Sequence, residues 1–232
     1  MSARHRSFVS CAALPAAILF STSLVMLACR PSPIRASQAA LPPEPAPIGV
    51  AASTDTAVFA GGCFWGVEAV FEHLQGVSNA VSGYAGGKAR SPSYELVSSG
   101  TTGHAESVLV VYDPSRISYE QLLQVFFTVA HDPTQLDRQG PDVGSQYRSA
   151  VFYRNDAQRD AARGYIAKLQ AAKVYRDPIV TEVTPLDVFN PAEAYHQDYL
   201  AHHPHQPYII INDAPKLEAL RRQFPALYRE PA

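Results

Sequence analysis

The stretch Ala57-Val58-Phe59-Ala60-Gly61-Gly62-Cys63-Phe64-Trp65-Gly66 constrains this chain more than any other. An apolar run is followed by two glycines, and then by Val67, Val70, Phe71 and Leu74 at i, i+3, i+4 and i+7. That pattern predicts a strand, a tight turn and an amphipathic helix, with Gly76 as the helix stop. Glycine tolerates the sharp turn, so Cys63 falls at or beside the helix N-terminus, where unpaired N–H groups and the dipole favour negative charge. A thiol placed there is expected to have a depressed pKa and to act as a nucleophile at neutral pH. The alternative is an inert, buried cysteine, since free cysteines are among the most buried residues.

The chain of 232 residues is long enough for one sizeable core, and one folded domain is expected. A net charge of -2 and the lack of a Lys/Arg cluster in its globular part remove the electrostatic case for nucleic acid as a partner. Three cysteines, Cys11, Cys29 and Cys63, offer neither a disulfide framework nor a Cys-x-x-Cys motif. Arg4 and Arg6 precede an apolar stretch from Phe8 to Ala28 that is broken by Ser10, Pro15 and Ser21-Thr22-Ser23, the layout of a secretory signal over residues 1–28. Its end, Val25-Met26-Leu27-Ala28-Cys29, resembles a bacterial lipoprotein signal, with Cys29 as the lipidated residue; cleavage near Ser37-Gln38-Ala39 is the alternative. Residues 29–55, rich in Pro, Ala and Ser, read as an extended tether. The expected location is the cell envelope or periplasm, with membrane contact only through a lipid at Cys29.

The domain over residues 56–232 alternates strands with one-sided helices. Val77 to Tyr84 reads as a strand, followed by a polar loop to about Gly103. Ala105 to Tyr112 is the next strand, with Glu106, Val108, Val110 and Tyr112 on one face. Ser118 and Gln121 form a capping box for a helix with Leu122, Val125, Phe126 and Val129 on one side. Arg148 to Tyr153 is a strand, Asp156 caps a helix with the stripe Ala162, Tyr165, Ile166 and Leu169, and Ile179 to Thr184 is a further strand. A helix is expected from Asn190-Pro191 through Tyr195, His196 and Tyr199, and another from Pro215 to Arg222. Two successive strand-helix-strand units predict an α+β fold, a two-layer sandwich of the split β-α-β, ferredoxin-like type.

Four polar residues interrupt the pattern: Tyr94, Glu106, Asp142 and Tyr147. Glu106 is the most telling. A carboxyl among valines pays for desolvation and tends to stay protonated, ready to donate a proton. A nucleophilic thiol beside a neutral carboxylic acid suits reductive attack on a polarised oxide better than hydrolysis.

Gly62-Cys63-Phe64-Trp65-Gly66, Gly103-His104-Ala105-Glu106, His131-Asp132-Pro133-Thr134-Gln135, Gln146-Tyr147-Arg148-Ser149 and Ala192-Glu193-Ala194-Tyr195-His196-Gln197 occur in order. Together they resemble the A-type peptide methionine sulfoxide reductases over roughly Thr56 to Tyr228. The resemblance implies an α+β sandwich that reduces the S epimer of methionine sulfoxide, free or in peptides and proteins, without metal or organic cofactor. It implies Cys63 as the nucleophile, Glu106 as the acid, and Tyr94 and Tyr147 as hydroxyl donors to the sulfoxide oxygen. Asp142 would support them through hydrogen bonds, and Phe64 with Trp65 would hold the substrate methyl group. Many relatives carry recycling cysteines near the C-terminus, whereas no cysteine follows Cys63 here. The Cys63 sulfenic acid would therefore be reduced by an external partner: a thioredoxin-like protein, glutaredoxin or a small thiol.

Two other readings stand beside this one. A cysteine hydrolase would pair Cys63 with His196, and a non-catalytic tethered binding module would leave Cys63 inert. The cluster His202, His203 and His205 invites a metal, but it lies beside Pro204 past an expected helix end, where exposed histidines are common.

Overall fold

In the computed structural model, which describes residues 53–88 and 92–230, the organising stretch folds as its periodicity predicts. Strand β1 (Asp55–Gly61) leads through Gly62 and Cys63 into helix α1 (Phe64–Glu72), and β2 (Val77–Ala85) follows. Next come α2 (Tyr94–Ser98), β3 (Ala105–Tyr112) and α3 (Tyr119–Val125), then the two-residue strands β4 (Arg138–Gln139) and β5 (Asp142–Val143). Strand β6 (Ser149–Tyr153), α4 (Asp156–Ala171), β7 (Glu182–Pro185), β8 (Phe189–Pro191), α5 (Tyr199–His202) and α6 (Ala214–Gln223) complete the order.

The main sheet runs β7-β6-β1-β3-β2-β8. Strand β3 lies between β1 and β2, the pair joined by α1, and β1 lies between β3 and β6, the pair joined through α3. Every neighbouring pair is antiparallel except β6 with β7. This is the split β-α-β plait expected from the sequence, extended by one strand at each edge.

Alternation along β1 divides the core. Ala57 and Phe59 face the helices, while Val58 and Ala60 face a smaller cluster with Ala85, Ala105, Ala150 and Phe152. Phe59 stacks on Phe71 of α1 at 5.1 Å and on Phe126 at 4.9 Å, which ties α1 and the end of α3 to the sheet. Burying such a ring contributes about 1.5–3 kcal/mol. On β3, Val108, Val110 and Tyr112 join the same helix-side cluster, so the two-residue period of the strand carries Glu106 to that face as well.

Several local expectations need correction. The long helix is capped by Asn155, whose side chain accepts from Gln158 N–H, with Asp156 in its first turn. The strand expected at Ile179–Thr184 is confined to Glu182–Pro185, the residues that reach β6. The polar loop before Gly103 contains α2. The capping box at Ser118 and Gln121 forms, and α3 ends in a π turn over Phe126–Ala130.

The largest departure is the segment after Asn190, which is strand β8, a 3-10 turn at Ala194–His196 and then α5. Gly83 explains the strand, because a Cβ there would lie 2.4 Å from the Phe189 ring and 2.5 Å from the Asn190 carbonyl. The Gln197 side chain then copies a strand partner: its Oε1 accepts from Ser82 N–H at 3.0 Å and its Nε2 donates to Ser82 O at 3.1 Å. These bonds hold the backbone against β2 and prevent a continuous helix.

Candidate active site

The turn that delivers Cys63 depends on Gly62, whose φ is +93° and whose Cβ, if present, would meet the Gln139 side chain at 2.5 Å. Gln139 is fixed in turn by a two-way amide contact with the Asp132 backbone, at 3.2 and 3.0 Å. His131, packed against Gly61, donates from Nδ1 to Phe126 O at 3.0 Å and accepts at Nε2 from Ser149 at 2.7 Å. Burial pushes its pKa down to about 4, so it is a neutral brace for the turn.

Cys63 is the N-cap of α1 and is only 8 % exposed. Phe64 N–H, in the first turn, donates across the sheet to Glu106 Oε2 at 3.0 Å. Glu106 is 2 % exposed, and burial pushes its pKa up to about 8 despite that bond. It is therefore a neutral acid at pH 7, as its place among valines predicted.

The Cys63 expectation is reversed. Burial, then the Glu106 and Asp213 carboxylates, push its pKa well above the ordinary thiol value, and the Trp65 N–H and Lys216 pull it back by less. The helix N-terminus that was expected to favour a thiolate lends its first N–H to Glu106 instead.

A cavity of about 280 Å³ opens on Cys63 and is lined by Phe64, Trp65, Tyr94, Glu106, Asp142, Tyr147, Gln206 and Tyr208 as well. All seven residues singled out in the sequence thus meet in one place. Tyr94 is the first residue of α2, Asp142 sits on the β4–β5 hairpin and Tyr147 lies in a 3-10 turn. Burial, with Glu106 beside them, raises the pKa of both tyrosines, so both hydroxyls keep their protons. Trp65 stacks on Tyr199 with ring centroids 3.7 Å apart, and its Nε1–H donates to His196 Nδ1 at 3.1 Å.

Sequence reasoning missed Tyr208 and Gln206. Tyr208 donates its hydroxyl to Asp142 Oδ2 and meets Trp65 edge-on at 5.9 Å. In the sequence it opens the short apolar run Tyr208-Ile209-Ile210-Ile211, which carries no sign of a polar role. Asp213 and Lys216 were missed too. The Asp213 carboxylate is buried and bonded to Lys216 Nζ at 3.0 Å. A Cβ on Gly66 would lie 2.0 Å from Asp213 Oδ1, so glycine in the first turn of α1 admits this pair beneath Cys63's helix.

The hydrolase reading fails on His196, whose Nδ1 is taken by the Trp65 indole and whose Nε2 has no hydrogen-bond partner. Burial also lowers its pKa. His202, His203 and His205 are exposed, and His202 Nδ1 bonds to Asp198 O at 2.9 Å. Among the described residues no group of three or more His, Cys, Asp or Glu is arranged to hold a metal ion.

Residues 55–227 match the family described as peptide methionine sulfoxide reductase. A peptide methionine sulfoxide reductase from Mesorhizobium japonicum is 57 % identical over 180 residues, which cover 78 % of this chain and 92 % of the relative. The solved structure of Saccharomyces cerevisiae Mxr1 in reduced form superposes with a TM-score of 0.62 at 34 % identity, covering 67 % of this chain and 89 % of that one. Methionine sulfoxide reductase A of Corynebacterium diphtheriae gives 0.58 at 38 % identity, covering 66 % and 78 %. The chain belongs to the peptide methionine sulfoxide reductase A family.

Proposed function

We propose that this chain reduces methionine-S-sulfoxide, free or within peptides, with Cys63 as the nucleophile and an external thiol as the final reductant. The observation that carries this reading is the single cavity in which a cysteine, a neutral carboxylic acid, two protonated tyrosines and an apolar wall converge. Phe64 and Trp65 receive the methyl group. Glu106 Oε2 is engaged by Phe64 N–H, which leaves Oε1 to carry the proton toward the sulfoxide oxygen. Tyr94 and Tyr147 donate to the same oxygen, while Asp142 and Tyr208 brace each other in the wall.

Protonation of the oxygen makes the sulfoxide sulfur electrophilic, and the Cys63 sulfur attacks it. The proton of the thiol replaces the one Glu106 gives up. Oxygen moves to Cys63, giving methionine and a sulfenic acid. One external thiol then forms a mixed disulfide and releases water; a second releases Cys63 as a thiol and leaves as a disulfide. A thioredoxin-like protein, glutaredoxin or a small thiol can supply both. Purified protein mixed with dithiothreitol and each methionine sulfoxide epimer tests the reading. Methionine should form from the S epimer, and its absence would overturn the assignment.

We also propose that residues 1–28 direct export and that Cys29 carries a lipid, with about 25 residues forming a tether whose root-mean-square reach is on the order of 25–30 Å. Support comes from Arg4 and Arg6, the apolar stretch and the proline-rich run, which lie outside the described residues. Detergent partitioning of the parent and of Cys29→Ser is the check. Both in the aqueous phase would exclude the lipid.

A further inference from the structure

We propose that Glu193 is a positioning residue for Tyr94, fixing the tyrosine hydroxyl over the reacting oxygen by tying the start of α2 to β2; this rests on the role given to Tyr94 above. The Glu193 carboxylate uses both oxygens. Oε2 accepts from Tyr84 OH at 2.8 Å, and Oε1 accepts from the backbone N–H of Tyr94 at 2.9 Å.

Helix α2 needs such an anchor. It has five residues, of which only Val97 is buried, and Leu96 is 51 % exposed. So short a helix is not stable by itself in water. Its far end is held by Gln146, whose Nε2 donates to Ser98 O at 3.1 Å. Its near end, the residue that bears the hydroxyl, is held by Glu193.

The other side of the anchor is rigid. Tyr84 is fully buried and stands directly opposite Glu106 in the β2–β3 register, so the ring that receives Glu193 is built onto the same strand pair as the acid. The backbone around Glu193 is bound to the same strand: Ala192 N–H donates to Ser82 O at 2.9 Å, and the Gln197 amide bonds to Ser82 at both ends. Tyr84 and Glu193 thereby give Tyr94 and Glu106 a common reference. Catalysis by positioned groups is sensitive to shifts of about 1 Å, which can cost on the order of 10² in rate.

The test is a double-mutant cycle read as kcat and KM with dithiothreitol and methionine-S-sulfoxide. Tyr94→Phe should lower kcat by about tenfold, less than the loss of a sole oxyanion donor, because Tyr147 shares the load. Glu193→Ala should lower kcat by a similar factor with KM within about twofold, and Glu193→Gln, which keeps an acceptor for Tyr94 N–H, should recover most of it. In the Tyr94→Phe background, Glu193→Ala should cost less than about twofold, because the hydroxyl it positions is gone. An undiminished loss in that background, a change in KM alone, or parental kcat in Glu193→Ala would overturn the proposal while leaving the reaction assignment intact. Parental kcat in Tyr94→Phe would instead remove Tyr94's role, and the proposal with it. If Glu193→Ala does not fold, Tyr84→Phe takes its place in the cycle; it frees one carboxylate oxygen and should lower kcat two- to threefold, on the order of one neutral hydrogen bond, only when Tyr94 is present.

Discussion

Glu106→Gln should slow sulfoxide reduction by about 10² or more while leaving the fold intact. The amide keeps the shape and can still accept from Phe64 N–H, so the 3.0 Å contact that shapes the first turn of α1 survives. What it lacks is a transferable proton. The parent should also lose activity as pH rises through about 8. Burial raises the carboxyl from its ordinary range to about 8 in the folded protein, so the active, protonated form dominates below that value and disappears above it. The variant should lack this descent. Its thiol offers a second readout. Glu106 is the leading charge that raises Cys63, after burial, so the midpoint of iodoacetamide labelling should lie above about 8.5 in the parent and fall in the variant. Parental turnover in Glu106→Gln would place the acid elsewhere. A parental labelling midpoint below that of a free thiol would restore the helix-stabilised thiolate.

Without reductant, the chain with Cys11→Ser and Cys29→Ser should stop after about one methionine per enzyme, because a sulfenic acid awaits a thiol that the chain cannot supply. Cys63 is then the sole cysteine in the sequence. A mass gain of one oxygen and trapping of that oxygen by dimedone should accompany the arrest, and dithiothreitol should restore continuous turnover. The 8 % exposure of Cys63 bears on recycling as well. Its reductant has to bring a sulfur in through the cavity that the substrate has just left. Two or more methionines per chain without added thiol would show that the oxidised Cys63 is reset by another route.

What the amino-acid sequence determined by itself lies within a few residues of chain. The strand, glycine turn and helix around Cys63, the capping box at Ser118 and Gln121, and the inward phase of Glu106 on β3 follow from backbone periodicity and short-range bonds. The order of strands and one-sided helices then led to the plait, and the resemblance carried by the ordered motifs led to seven of the nine residues that line the cavity. Only the tertiary structure decided the charge state of Cys63. That state depends on burial and on Glu106, 42 residues beyond the Phe64 N–H it takes, and on a buried Asp213 admitted by Gly66. Only the tertiary structure broke the helix predicted from Asn190 into the end of β8, a 3-10 turn and the short α5, because pairing with Gly83 and Ser82 outweighs local propensity. It also set Tyr208 against Asp142. Desolvation and cross-chain pairing are properties of whatever folds over a residue, and for each of these groups that covering comes from far along the chain.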